Sequence, residues 1–237
     1  MMKRYILFLI ASVIAIGAID AQNRTKSKKQ WAQYNRYAVA NKQLTVSPDV
    51  VFMGNSITDN WAAMVPEFFA DNNYLGRGIS GQTTEQMLAR FRQDVVDLNP
   101  KVVVILAGIN DIAENNGPIS KESILNNIKS MCDIAKANNI TPVLCSILPC
   151  DYFVWRKTMK PAPIVAEMNA MIKDYAREAG YRYVDYYSAL VTETGALNPK
   201  LTKDRCHPTK DGYQIMMPIV KQVLEETLVE INDANKQ

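Results

Sequence analysis

The chain has 237 residues, 48% of them hydrophobic and 22% charged, with a net charge of +3. That is enough for one domain with a full core, and it argues against disorder and low complexity. So small a positive excess, with no run of Lys and Arg interleaved with aromatics, gives no footing for nucleic-acid binding.

Residues 1–21 read as a leader. Met1-Met2-Lys3-Arg4 is a basic start, Tyr5 to Ile19 is apolar, and Ile19-Asp20-Ala21 ends on a small residue suited to cleavage. The apolar run is short for a membrane span, and no basic stop follows at once. No cysteine follows it either, which argues against a lipid anchor. The expectations are a signal peptide over 1–21, a single mature domain over 22–237, export to the periplasm or beyond, and no stable membrane insertion after cleavage.

Residues 27–43 carry Trp31, Tyr34, Ala38 and Val39 at helical spacing, which predicts a helix covering one end of a sheet with that stripe in the core. Val50 to Met53 reads as the first strand. It runs into Gly54-Asn55-Ser56, so a hydroxyl is delivered to a strand-to-helix turn. A helix is predicted over 60–70, shortened or kinked by Pro66. A short strand begins at Tyr74. Residues 83–98 form an amphipathic helix with Met87, Leu88, Phe91, Val95 and Leu98 on one face and Thr83 or Thr84 as cap. Val102 to Leu106 is an unbroken apolar run, the mark of a strand covered on both faces.

Ser120 caps the next predicted helix. A strand follows over 142–148, then an aromatic loop containing Tyr152, Phe153 and Trp155. A helix over 163–180, a strand over 181–186 and a closing helix over 209–231, bent at Pro218, complete the pattern. Strands alternate with helices throughout, which predicts an α/β fold with a five-stranded parallel sheet between two helical layers. In such sheets functional loops gather at the carboxyl ends of the strands.

Of the four cysteines, Cys132 and Cys145 fall in core patterns. Cys150 and Cys206 fall in loops and could pair. No Cys-x-x-Cys or His-rich cluster suggests a metal, and the chain has one histidine, His207. Gly76-x-Gly78-x-x-Gly81 matches a dinucleotide-binding pattern, but no carboxylate stands at the end of the next strand to hold a ribose. No cofactor is expected. Position 58 is Thr, so the Gly-x-Ser-x-Gly elbow is absent.

Four blocks remain: Gly54-Asn55-Ser56-Ile57-Thr58, Gly78-Ile79-Ser80-Gly81-Gln82-Thr83-Thr84, Gly108-Ile109-Asn110-Asp111 and Asp204-x-x-His207-Pro208. In this order they resemble the SGNH (GDSL-type) hydrolases, most nearly the platelet-activating-factor acetylhydrolase-like bacterial acylhydrolases. The resemblance implies a flavodoxin-like three-layer α/β/α fold and a serine esterase. Ser56 would be the nucleophile, His207 the general base and Asp204 its orienting acid. The Ser56 and Gly81 backbone N–H groups and the Asn110 amide would form the oxyanion hole. Asn55 stands where the family motif has Asp; it keeps the shape and can still hydrogen-bond within the turn. Asp111 is expected to bond loop backbone rather than do chemistry.

Tyr152, Phe153 and Trp155 are candidate walls of a substrate pocket. Aromatic walls suit sugars as well as lipid chains. The expected substrate is a small ester or acetylated carbohydrate, with a lysophospholipase-like acylhydrolase as the alternative. An acyltransferase, or a carbohydrate-binding module that kept the fold without catalysis, are further readings.

Overall fold

The structure is a computed structural model that describes residues 30–234 and 236. The expected leader lies outside the described residues. The chain divides into two compact units between Gln33 and Tyr34. The described part of the first is a turn closed by Gln33 N donating to Gln30 O. Everything below concerns the second.

Five parallel strands form one sheet in the order β2-β1-β3-β4-β5. They are β1 Val50–Gly54, β2 Tyr74–Gly78, β3 Val102–Leu106, β4 Thr141–Cys145 and β5 Arg182–Val184. Every residue of β1 and β3 is buried, as their unbroken apolar runs predict. β1 runs in register with both neighbours, Gly54 pairing with Gly78 and with Leu106. The chain steps one way from β1 to β2 and the other way to β3, so the order reverses at the β1–β3 boundary. A crevice opens outside the carboxyl ends at such a reversal.

The longer helices are α1 Asn35–Lys42, α2 Ser56–Met64, α4 Thr84–Asp94, α6 Lys121–Ala137, α7 Pro161–Ala179 and α9 Lys210–Ala234. The short ones are α3 Pro66–Ala70, α5 Ile109–Ile112 and α8 Tyr186–Leu190. α2, α3 and α9 cover one face, and α4, α6 and α7 cover the other. The three-layer α/β/α expectation is met.

Several boundaries differ from the sequence reading for identifiable reasons. The helix expected over 60–70 starts at Ser56 and breaks at Val65, because Pro66 lacks an N–H and opens a new helix as its first residue. The strand expected over 181–186 is three residues long, since the Asp185 side chain accepts from Ser188 N and caps α8. The N-terminal helix is shorter than 27–43, and its apolar stripe is not core. Tyr34 is 38% exposed and Val39 68%. α1 is instead held by polar groups. Tyr37 Oη donates to Gly78 O, and Asn41 Nδ2 donates to Asp94 Oδ1 at 2.8 Å.

Cys132 and Cys145 are core thiols as expected. Cys150 and Cys206 are also buried and carry no covalent bridge; Cys150 Sγ donates to Tyr152 O at 3.5 Å.

Candidate active site

Ser56 is the first residue of α2 and directly follows the cap residue Asn55. Asn55 Oδ1 accepts from Ile57 N at 3.2 Å, so Asn performs the capping an Asp would perform. As the first helical residue, Ser56 has an N–H with no acceptor within the helix. That donor points outward at the positive end of the helix dipole. The far side of the turn is fixed by α9, where Tyr213 Oη donates to Ile57 O at 2.8 Å.

Ser56 Oγ lies 2.8 Å from His207 Nε2, and His207 Nδ1 lies 2.6 Å from Asp204 Oδ2. The carboxylate contact assigns the ring proton to Nδ1 and leaves the Nε2 lone pair facing the serine hydroxyl. Asp204 Oδ1 accepts from His207 N at 2.8 Å and from Cys206 N at 3.0 Å. Burial pushes the Asp204 carboxyl up, but the hydrogen bonds from the His207 backbone and ring and from Cys206 outweigh it. The group sits below the usual carboxylate range.

Gly81, in the turn after β2, and Asn110, in α5 after β3, line the same cleft as Ser56. Gly81 has φ +82°, a left-handed conformation that a side chain disfavours. The turn before it is held by Asp59, whose Oδ2 accepts from Ser80 Oγ at 2.9 Å and from Ser80 N at 3.3 Å. Asn110 Nδ2 donates one hydrogen to Gln82 O at 2.9 Å, and its Oδ1 accepts from Asn115 Nδ2 at 2.9 Å. Both ends of the amide are thereby fixed, and the second hydrogen on Nδ2 is aimed by that arrangement. Asp111 is buried. It accepts from Thr84 N at 3.0 Å and Thr84 Oγ1 at 2.5 Å, in the backbone-holding role expected for it. Burial raises its carboxyl to about 6 despite those bonds.

A cleft of ≈ 410 Å³ is lined by Ser56, Asn60, Ser80, Gly81, Asn110, Asn115, Trp155 and His207. A second, of ≈ 310 Å³, shares Asn60 and His207 with it. Of the three aromatics in the loop after β4, Trp155 lines the cleft. It is 45% exposed, its ring centroid is 6.3 Å from that of His207, and its Nε1 donates to Asn115 Oδ1 at 3.1 Å. Phe153 is fully buried behind it at 4.9 Å, and Tyr152 lies under the Arg205 guanidinium. The loop is pinned on both sides. Arg205 pairs with Asp151, and Arg156 donates to Ala113 O and pairs with Glu114.

The glycines of the dinucleotide-like pattern have another use. Gly76 and Gly78 lie inside β2, where α2 packs on bare backbone. A Cβ on Gly78 would sit 2.2 Å from Asp59 N, and one on Gly76 2.8 Å from Ala62 Cβ. Among the described residues no three His, Cys, Asp or Glu side chains come together as a metal site.

Sequence reasoning missed Asp59, Gln82, Arg90 and Asn115. Asp59 had a visible signal: an acid in the first helical turn after the serine. Arg90 had one too. It sits on the buried face of α4, between Met87 and Phe91, and is fully buried. Gln82 lies within the second block but has no residue-type signal of its own, and Asn115 has none beyond lying near the third.

A parallel sheet ordered β2-β1-β3-β4-β5, with a serine, a histidine and an acid at its carboxyl edge, defines a flavodoxin-like fold of the SGNH hydrolase kind. Residues 52–215 match the GDSL-like Lipase/Acylhydrolase family, and the chain belongs to that family of ester hydrolases. A GDSL-like lipase structure from Bacteroides thetaiotaomicron is 47% identical with a TM-score of 0.80, covering 83% of this chain and 99% of that one. The platelet-activating factor acetylhydrolase IB subunit beta homolog of Drosophila melanogaster is 26% identical over 214 residues, 87% of this chain and 90% of its own. An acetylxylan esterase of Geobacillus stearothermophilus is 26% identical over 147 residues, 60% and 67% of the two chains.

Proposed function

We propose that this chain is an exported serine esterase that removes short acyl groups, acetyl above all, from hydroxyl-rich alcohols such as carbohydrates. The observation that carries it is the 2.8 Å contact of Ser56 Oγ with His207 Nε2, in line with the 2.6 Å contact of Nδ1 with Asp204.

Ser56 Oγ attacks the ester carbonyl while its proton passes to His207 Nε2. Asp204 holds the imidazole and stabilises the imidazolium that forms. The carbonyl oxygen gains negative charge between the Ser56 N–H, the Gly81 N–H and the Asn110 amide. Collapse of the tetrahedral intermediate expels the alkoxide, which takes the proton from His207 and leaves as the alcohol. Water then attacks the acyl-enzyme with the same base, releasing the carboxylic acid and restoring Ser56.

The cleft lining supports the substrate class. Seven of its eight residues are polar or glycine, and the exception is an indole that can stack on a sugar face. The described residues contain no helix long and apolar enough to cross a membrane. The reading of residues 1–21 as a secretory signal supports export.

The test is a panel of acetyl, butyryl and long-chain aryl esters and acetylated xylo-oligosaccharides, run on wild type and Ser56→Ala. Wild type should turn over the acetylated sugars best, and a fluorophosphonate should label Ser56. Ser56→Ala should lose both, with turnover down by about 10⁴ or more. Equal turnover by the folded Ser56→Ala protein would sink the mechanism. A preference for long acyl chains would sink the substrate class alone.

A further inference from the structure

Arg90 is a fully buried guanidinium paired with an equally buried Asp94, Nη1 to Oδ2 at 2.9 Å. A buried ion pair is poor evidence for stability, because removing two charges from water offsets most of their attraction. What the pair does must be read from its other contacts. Arg90 Nη2 donates to Gly54 O at 2.9 Å, and Nε donates to Gln82 Oε1 at 2.5 Å.

Those two acceptors lie on the segments that carry two of the three proposed oxyanion donors and hold the third in place. Gly54 is two residues before Ser56, at the end of β1. Gln82 immediately follows Gly81, and Gln82 O is the acceptor that fixes the Asn110 amide at 2.9 Å. Gly54 O also accepts from Ile79 N at 3.2 Å, which ties the two turns to each other beside the guanidinium. Asp94 in turn is held by Asn41 Nδ2 at 2.8 Å, so the guanidinium is anchored from behind by α1.

We propose that Arg90 is a positioning residue whose planar fork sets the relative placement of the Ser56, Gly81 and Asn110 donors, and so the depth of the oxyanion hole. The inference rests on the serine-esterase reading above. A guanidinium suits the task because its donors diverge in one rigid plane and can bind three acceptors at once. An ammonium at the same place keeps the charge opposite Asp94 but not the three directions. Arg90 touches no reacting atom. Its effect runs through distances, where a displacement of about 1 Å costs roughly 10²-fold in rate.

The experiment compares Arg90→Lys and Gln82→Met with wild type on an acetyl ester the wild type hydrolyses. Thermal melting and near-ultraviolet circular dichroism fix the folded fraction. For Arg90→Lys, kcat per folded molecule should fall about 10–100-fold with KM within about twofold. The inhibition constant of a phenylboronic acid, which forms a tetrahedral adduct on Ser56, should rise by the same factor as kcat/KM falls. Gln82→Met leaves the pair with Asp94 and the bond to Gly54 O intact, and should lose about 10-fold in kcat with the same split.

A purely structural role would lower the melting temperature and leave kcat per folded molecule and boronate affinity unchanged. That result would overturn the proposal. If Arg90→Lys does not fold, Gln82→Met decides by the same criterion. Should wild type and Ser56→Ala prove equally active, the esterase reading itself fails. Should Ser56→Ala be inactive while Arg90→Lys keeps full activity, the positioning role alone fails.

Discussion

At the scale of single residues, the site is built from pairs in which one member faces the cleft and the other aims it. Asn115 and Gln82 hold Asn110, Asp59 holds Ser80 beside Gly81, and Asp204 holds His207. The facing members belong to the four blocks visible in the sequence, because their chemistry demands particular residue types in a particular order. Of the aiming members, Gln82 and Asp204 lie in the blocks as well, whereas Asp59 and Asn115 are ordinary polar residues that only the fold brings near. Asp111 is visible in a block but turned away from the chemistry. Its folded carboxyl is raised to about 6 by burial, from an ordinary value of 3.8. A raised carboxyl favours the protonated folded state, so its contribution is complete below the ordinary range and is lost as pH rises through about 6. Asp111→Asn removes that titration. Wild type should therefore lose stability relative to Asp111→Asn, on the order of 2–3 kcal/mol, between about pH 4 and 7. Chemical denaturation of both proteins across that range checks it; a constant difference would contradict the burial argument.

Among the elements, β1 and β3 and the long amphipathic helices were legible because their burial follows directly from apolar periodicity. The stripe with Tyr34 and Val39 misled for a physical reason. Periodicity reports that one face is apolar, not that anything covers it. α1 is attached by Tyr37 and Asn41 through hydrogen bonds, a signal that no hydrophobic pattern contains. The β2–α2 contact was likewise illegible, since glycine spacing suggested a nucleotide loop and the structure uses it for helix packing. Gly78→Ala tests that use. The new methyl would meet Asp59 N at 2.2 Å and Asn55 O at 2.6 Å, backbone atoms that cannot swing aside. Destabilisation of about 3 kcal/mol or more is expected, with loss of activity in what remains folded, because α2 carries Ser56 at its first position. A melting temperature within about 2 °C of wild type would show that α2 can shift without cost.

Over the whole molecule, the sheet order explains why blocks scattered along the sequence converge. β1, β2 and β3 end side by side at the reversal point and deliver Ser56, Gly81 and Asn110. Asp204 and His207 arrive from the far end of the chain, on a loop anchored by Thr209 N donating to Leu201 O at 2.7 Å. Their position next to Ser56 follows from the family resemblance, not from any local pattern. The loop carrying Trp155 is bound to this same segment through Asp151 and Arg205, which ties the cleft wall to the loop of His207.

The separation of 151 positions between Ser56 and His207 has a meaning in time as well as space. Contacts of such separation close late, after local helices and neighbouring strands have formed. A chain emerging from synthesis, or refolding from denaturant, holds its hydroxyl at a finished strand end well before any base can reach it. Ester turnover should therefore recover more slowly than helical circular dichroism on dilution from urea, by the time α9 takes to dock. Recovery of both signals at one rate would mean that the sheet and the C-terminal helix assemble as a single cooperative event. With the lag, the incomplete enzyme is inert toward esters, and reactivity at Ser56 becomes a signature of the completed chain.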